Sequence, residues 1–100
     1  MRVYLCGPMS GLPDLNVPAF RLAAARLRGA GLEVVSPVEL CDGSELSWAG
    51  CMRLDLKGLC ECDRVVLLPG WEASRGALLE LHVARELGME VRLVGELLGD

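Results

Sequence analysis

Apolar positions in this sequence switch between two spacings, and the switches divide it into elements. Residues 3–6 form a short β-prone apolar run closed by Gly7 and Pro8, which predicts a strand ended by a turn. Phe20, Leu22, Ala23, Ala24, Leu27 and Ala30 then recur at helical spacing, with Pro18 fit for a first helical turn and Gly31 for the residue after the last. Residues 33–35 predict a second strand, stopped by Ser36 and Pro37. Residues 38–46 read as irregular, and Ser47 is set to cap a helix from Trp48 to about Cys60. The run 64–68 is almost uninterruptedly apolar, as expected of a central parallel strand covered on both faces, and Pro69 and Gly70 end it. Ser74 stands where an N-cap belongs, before a helix that reaches Leu87 and closes at Gly88. Residues 90–94 predict a fourth strand, and residues 97–100 carry too little pattern to assign.

Strands alternating with helices predict an α/β fold, a parallel sheet of four or five strands with right-handed crossovers and helices on both faces. Ligands bind such sheets beyond the carboxyl ends of the strands, where the strand order reverses. Those ends carry residues 7–16, 36–40 and 69–76. The first of these loops holds Gly7, Pro8, Ser10, Gly11, Pro13, Asp14 and Asn16 and is long for a βα connection, which marks it as functional.

Composition narrows the function classes. A chain of 100 residues suits one domain spanning 1–100. Hydrophobic residues make up 52% but aromatics only 4%, so the interior must be packed with Leu, Val and Ala. The net charge of −4 lacks the cationic footprint that a nucleic-acid polymer requires, and Arg21, Arg26 and Arg28 read as a solvated helix face. No apolar stretch approaches the roughly 20 residues of a membrane span, and no export leader precedes the first strand. Cys6, Cys41, Cys51, Cys60 and Cys62 show no CxxC pair. They predict free thiols in a reducing cytoplasm, and no metal or other cofactor is called for.

Three groups could carry chemistry. Ser74, Arg75, Gly76 and Ala77 open a helix whose N–H groups and positive dipole end suit an anion, with Gly76 allowing close approach; a routine cap with a small-residue packing contact is the plainer reading. Glu80 shares a helix face with Gly76, Ala77 and Ala84, which predicts a partly buried carboxylate of raised pKa, fit to act as nucleophile or general base. Asp55 or Asp63 could protonate a leaving group, although Asp63 also reads as a turn residue. Tyr4 is either core or a phenol aimed at the site. His82 points away from the Glu80 face. Trp48 and Trp71 could stack on a base, and Trp71, in the loop before Ser74, is the better placed.

The segments Val3-Tyr4-Leu5-Cys6-Gly7-Pro8-Met9, Arg53-Leu54-Asp55-Leu56, Cys62-Asp63 and Ser74-Arg75-Gly76-Ala77 with Glu80 follow one another in a familiar order. In this the chain resembles the nucleoside 2-deoxyribosyltransferase-like superfamily from Val3 to about Leu93. It is most similar to a branch of small, often phage- or prophage-encoded proteins carried as a domain of unknown function, DUF4406. The resemblance implies a flavodoxin-like three-layer sandwich. It also implies N-glycosidic cleavage of, or deoxyribosyl transfer from, a 2′-deoxynucleoside or its 5′-monophosphate.

By that resemblance Glu80 attacks the anomeric carbon, Asp55 contacts the base and Tyr4 lies near the nucleophile. Ser74 and Gly76 match phosphate-binding residues, and Ser74 tilts the substrate toward a 5′-monophosphate because pure nucleoside transferases tend to be acidic near there. The loop that starts at Gly7, Pro8 and Met9 would close over sugar and base. Family enzymes continue past the fourth strand and lend a residue to a neighbouring subunit, whereas this sequence ends at Asp100. A homodimer or larger assembly is expected, from the resemblance and from the apolar excess. The alternative is an inactive nucleotide-binding module or phage accessory protein on the same fold.

Overall fold

The computed structural model describes residues 1–41 and 47–99. Strand β1 (Arg2–Cys6) is followed by a short 3-10 turn (Pro13–Asn16), helix α1 (Val17–Gly29) and strand β2 (Glu33–Val35). Helices α2 (Pro37–Leu40) and α3 (Trp48–Cys60) lead to strand β3 (Arg64–Leu67). A second 3-10 turn (Trp71–Ala73), helix α4 (Arg75–Glu86), strand β4 (Glu90–Leu93) and helix α5 (Val94–Leu98) complete the order. The four strands are all parallel, in the order β2-β1-β3-β4. The order reverses between β1 and β3, so a crevice for ligands is expected at the carboxyl ends of those two strands.

Strand alternation sorts the core into two layers. Val3 and Leu5 of β1, with Val66 and Leu68, pack against Phe20, Ala23, Ala24 and Leu27 of α1, and Val94, Leu97 and Leu98 of α5 join them. Tyr4 and Cys6, with Val65 and Leu67 of β3, face Leu59 of α3 and Ala77, Leu81 and Ala84 of α4. The helices thus cover both faces of the sheet, and the residues of β1 that face α4 are Tyr4 and Cys6.

Three expectations are revised. Residues 38–40 are helical, since Ser36 and Pro37 start α2 and Val38 turns into the α1 layer; residues 42–46 lie outside the described residues. The fourth strand ends at Leu93, because Val94 begins α5. Leu22 is 63% exposed, as it falls outside the face of α1 that Phe20, Ala23 and Leu27 present to the sheet.

The cysteines also depart from expectation: Cys41 and Cys51 are joined by a disulfide, while Cys6, Cys60 and Cys62 are free. Ten residues apart in sequence, the pair is brought together because α2 packs beside the first turn of α3. No helix among the described residues is long and apolar enough to cross a membrane.

Candidate active site

Helices α3 and α4 both begin at the carboxyl edge of the sheet, each with a serine cap. Ser47 Oγ accepts from the Gly50 N–H at 3.0 Å, and Ser74 Oγ accepts from the Ala77 N–H at 3.1 Å. Down the facing sides of the two helices, Trp48, Met52 and Asp55 recur at helical spacing opposite Gly76 and Glu80. Gly76 leaves little room on its Cβ side: a Cβ there would lie 3.1 Å from Met52 Cε, the end of a flexible side chain, and 3.9 Å from Trp48 Nε1. On this side the glycine packs against α3.

One turn deeper, Glu80 is only 4% exposed. The Tyr4 hydroxyl donates to its Oε2, and the Cys6 thiol lies within donating distance of both its Oε1 at 3.5 Å and the Ala77 carbonyl at 3.4 Å. Burial pushes the Glu80 carboxyl up to about 7; the hydrogen bonds from Tyr4 and Cys6 oppose the rise and the Asp55 charge adds to it. Burial, then the Glu80 charge, raises Tyr4 well above the usual phenol range and raises Cys6 in the same way. Both side chains therefore stay protonated as donors.

Asp55 is 8% exposed, and its Oδ1 has no hydrogen-bond partner among the described residues. Burial pushes its carboxyl up to about 6. A buried acceptor without a donor is costly in a folded chain. Two carboxyl groups of raised pKa within electrostatic reach of one another form an acid–base pair. Among the described residues, no three His, Cys, Asp or Glu side chains gather as a metal ligand set.

The structure thus brings Tyr4, Asp55 and Glu80 together. Cys6 joins them unforeseen, although its signal was present, since it lies two residues from Tyr4 on the same face of β1. The other expected residues divide. Gly7 is buried at the switch point, where a Cβ would meet Leu68 Cβ at 2.8 Å and where Leu68 N–H donates to the Cys6 carbonyl at 2.8 Å. Pro8 packs against Gly70, tying the first loop to the third, and its carbonyl accepts from Asn16 Nδ2 at 2.9 Å.

Met9 packs into the α1 layer, on the face of the sheet away from Glu80. Trp71 is half-buried against the α3–α4 layer. Ser74 is engaged as a cap through one Oγ lone pair, which leaves its O–H free to donate.

Asp63 is not in the site. It precedes β3 at the amino edge of the sheet, where its carboxylate accepts from the Arg2 N–H at 3.0 Å and its own N–H donates to the Arg2 carbonyl at 2.8 Å. There it splices β1 to β3 at the end opposite Glu80. His82 is exposed, as its helical position implied.

The model of a family described as a domain of unknown function, DUF4406, matches residues 1–93. No curated protein matches the chain. Among solved structures, a 2-deoxyribosyltransferase from Bacillus psychrosaccharolyticus is similar in fold. It has a TM-score of 0.73 at 23% identity, covering 93% of this chain and 71% of the other. A CMP N-glycosidase from Clostridium botulinum has a TM-score of 0.64 at 25% identity, covering 93% of this chain and 67% of the other. With the family model spanning nearly the whole sequence, this chain belongs to the DUF4406 family, and it shares the fold of a 2-deoxyribosyltransferase and a CMP N-glycosidase.

Proposed function

We propose that the protein cleaves the N-glycosidic bond of a 2′-deoxynucleoside or its 5′-monophosphate, passing the deoxyribosyl group to water or to a second base, with Glu80 as nucleophile. The observation that carries this reading is the clasp on Glu80: a buried carboxylate held on one oxygen by Tyr4 and on the other by Cys6, with the unpartnered Asp55 oxygen nearby. The likeness to a CMP N-glycosidase and to a 2-deoxyribosyltransferase supports the same bond type.

In this mechanism a Glu80 oxygen forms a bond to C1′ as the C1′–N bond breaks. The electron pair of that bond goes to the base nitrogen, which takes its proton from protonated Asp55. Water then attacks C1′, its proton returns to Asp55, and the Glu80 carboxylate leaves. Two displacements at one carbon retain its configuration, as in retaining glycosidases. Tyr4 and Cys6 hold the carboxylate in place and stabilise its anionic form when the glycosyl bond breaks.

The test is to incubate the pure protein and a Glu80→Ala variant with a panel of deoxynucleosides and their 5′-monophosphates and to follow free base by chromatography. Release by the wild type that is lost in the variant supports the reading, whereas no release from any substrate overturns it.

A second reading is a nucleotide-binding module without turnover on the same fold. Nucleotide affinity without base release identifies this case.

A further inference from the structure

Trp48 opens α3 and Arg75 opens α4, and the two meet at the start of the packed helix faces that carry Asp55 and Glu80. The Arg75 guanidinium lies 3.8 Å from the centroid of the Trp48 ring. It forms no ion pair or side-chain hydrogen bond with any described residue, so the indole face is what holds it. Trp48 is 38% exposed and Arg75 is exposed, and a cation on an exposed ring is held more weakly than a stacked nucleobase. A flat ligand can therefore take the ring from the guanidinium.

What such a ligand meets next is also fixed by the helices. Below Trp48 on the same face of α3 comes Met52, then Asp55 with its buried, unpartnered Oδ1, an acceptor for an N–H or O–H of the incoming molecule. Above, the displaced guanidinium stands at the first residue of α4, beside backbone N–H groups that the Ser74 cap leaves free. A planar, forked donor at a helix start is suited to a phosphate.

We propose that the Trp48–Arg75 stack is an exchangeable gate selecting anionic nucleotides: the base of a nucleoside 5′-monophosphate takes the Trp48 face, and the released Arg75 pairs with its phosphate. A nucleoside without phosphate displaces Arg75 and gives it no new partner, so it binds less well. This deepens the nucleotide reading above and rests on it for the identity of the ligand. Arg75 acts here as a specificity-determining residue, and Trp48, rather than Trp71, is the stacking platform.

The chain has only two tryptophans, so a Trp71→Phe background leaves Trp48 as the sole indole reporter. Titrating it with deoxynucleoside 5′-monophosphates and the matching deoxynucleosides should quench Trp48 emission. Arg75→Ala should weaken monophosphate binding by about tenfold or more, while deoxynucleoside binding tightens modestly because no guanidinium has to leave the Trp48 ring. Trp48→Ala should weaken both ligands alike. Calorimetric titration of the chain with Trp71 retained gives the same comparison if the Phe variant folds poorly.

An equal effect of Arg75→Ala on both ligand classes, no effect on either, or a bound nucleotide that leaves Trp48 emission unchanged overturns the gate. Base release by the wild type with no role for Arg75 sinks the gate alone. Arg75-dependent binding without base release sinks the catalytic reading alone.

Discussion

The Tyr4 hydroxyl donates to Oε2 of Glu80 across a sequence separation of 76 residues, and both groups are buried. The bond joins the strand that begins the fold to the second turn of α4. Strand alternation turns the phenol of Tyr4 toward α4, and helical spacing turns Glu80 back toward the sheet. Buried in this way, each group depends on the other for hydrogen bonding, and the state of the carboxyl is set by the fold rather than by solvent.

Stability should therefore respond to pH through Glu80. Its ordinary value of 4.5 in the unfolded chain rises to about 7 on folding, so the fold prefers the protonated form. That contribution is full below about pH 4.5 and is lost as pH rises through about 7, a change of ~3 kcal/mol. Asp55, raised from 3.8 to about 6, adds in an overlapping window. Urea unfolding as a function of pH should show stability declining across this range, with a shallower decline in Glu80→Gln. An equally steep decline in the variant would count against a buried, protonated Glu80.

Turnover should show a plateau between about pH 6 and about pH 7, with activity falling on both sides. The competent form has Glu80 ionised and Asp55 protonated, a minor species because Glu80 is the weaker acid of the two. The two breaks belong to the pair and not to either residue alone. Asp55→Asn should abolish the fall at high pH and lower the rate for poor leaving groups. Retention of the alkaline limb in that variant would assign it to another group.

Tyr4→Phe should raise the Glu80 pKa further, because the lost hydrogen bond favours the anion. The expected result is a lower kcat/KM and an alkaline limb displaced to higher pH, with a stability cost of about 1–2 kcal/mol. The kcat/KM pH profile and a denaturation curve check the two effects separately. An unshifted profile would mean that Tyr4 is only core.

Gly7→Ala should destabilise the fold by about 1–3 kcal/mol, since the added Cβ meets Leu68 Cβ at 2.8 Å where the ends of β1 and β3 converge. Thermal unfolding measures this directly. A variant as stable as the wild type would show that the two strand ends separate at little cost.

The four strands, the helices capped by Ser47 and Ser74, and the burial of Glu80 were legible in the sequence, because each follows from local periodicity or from a residue with a fixed backbone role. Glu80 was legible as a candidate because a carboxylate on a face of apolar or small residues is conspicuous, whereas the residue pattern left Asp55 and Asp63 as alternatives and only the family resemblance singled out Asp55.

Contacts between distant segments were not legible. The pairing of Cys41 with Cys51, the seat of Asp63 at the amino edge, Met9 in the α1 layer and Met52 against Gly76 all depend on how elements pack. So does the stacking of Arg75 on Trp48. Periodicity settles which face of an element is buried, whereas the partner on that face is set by strand order and helix packing, and these bring together residues far apart in the chain.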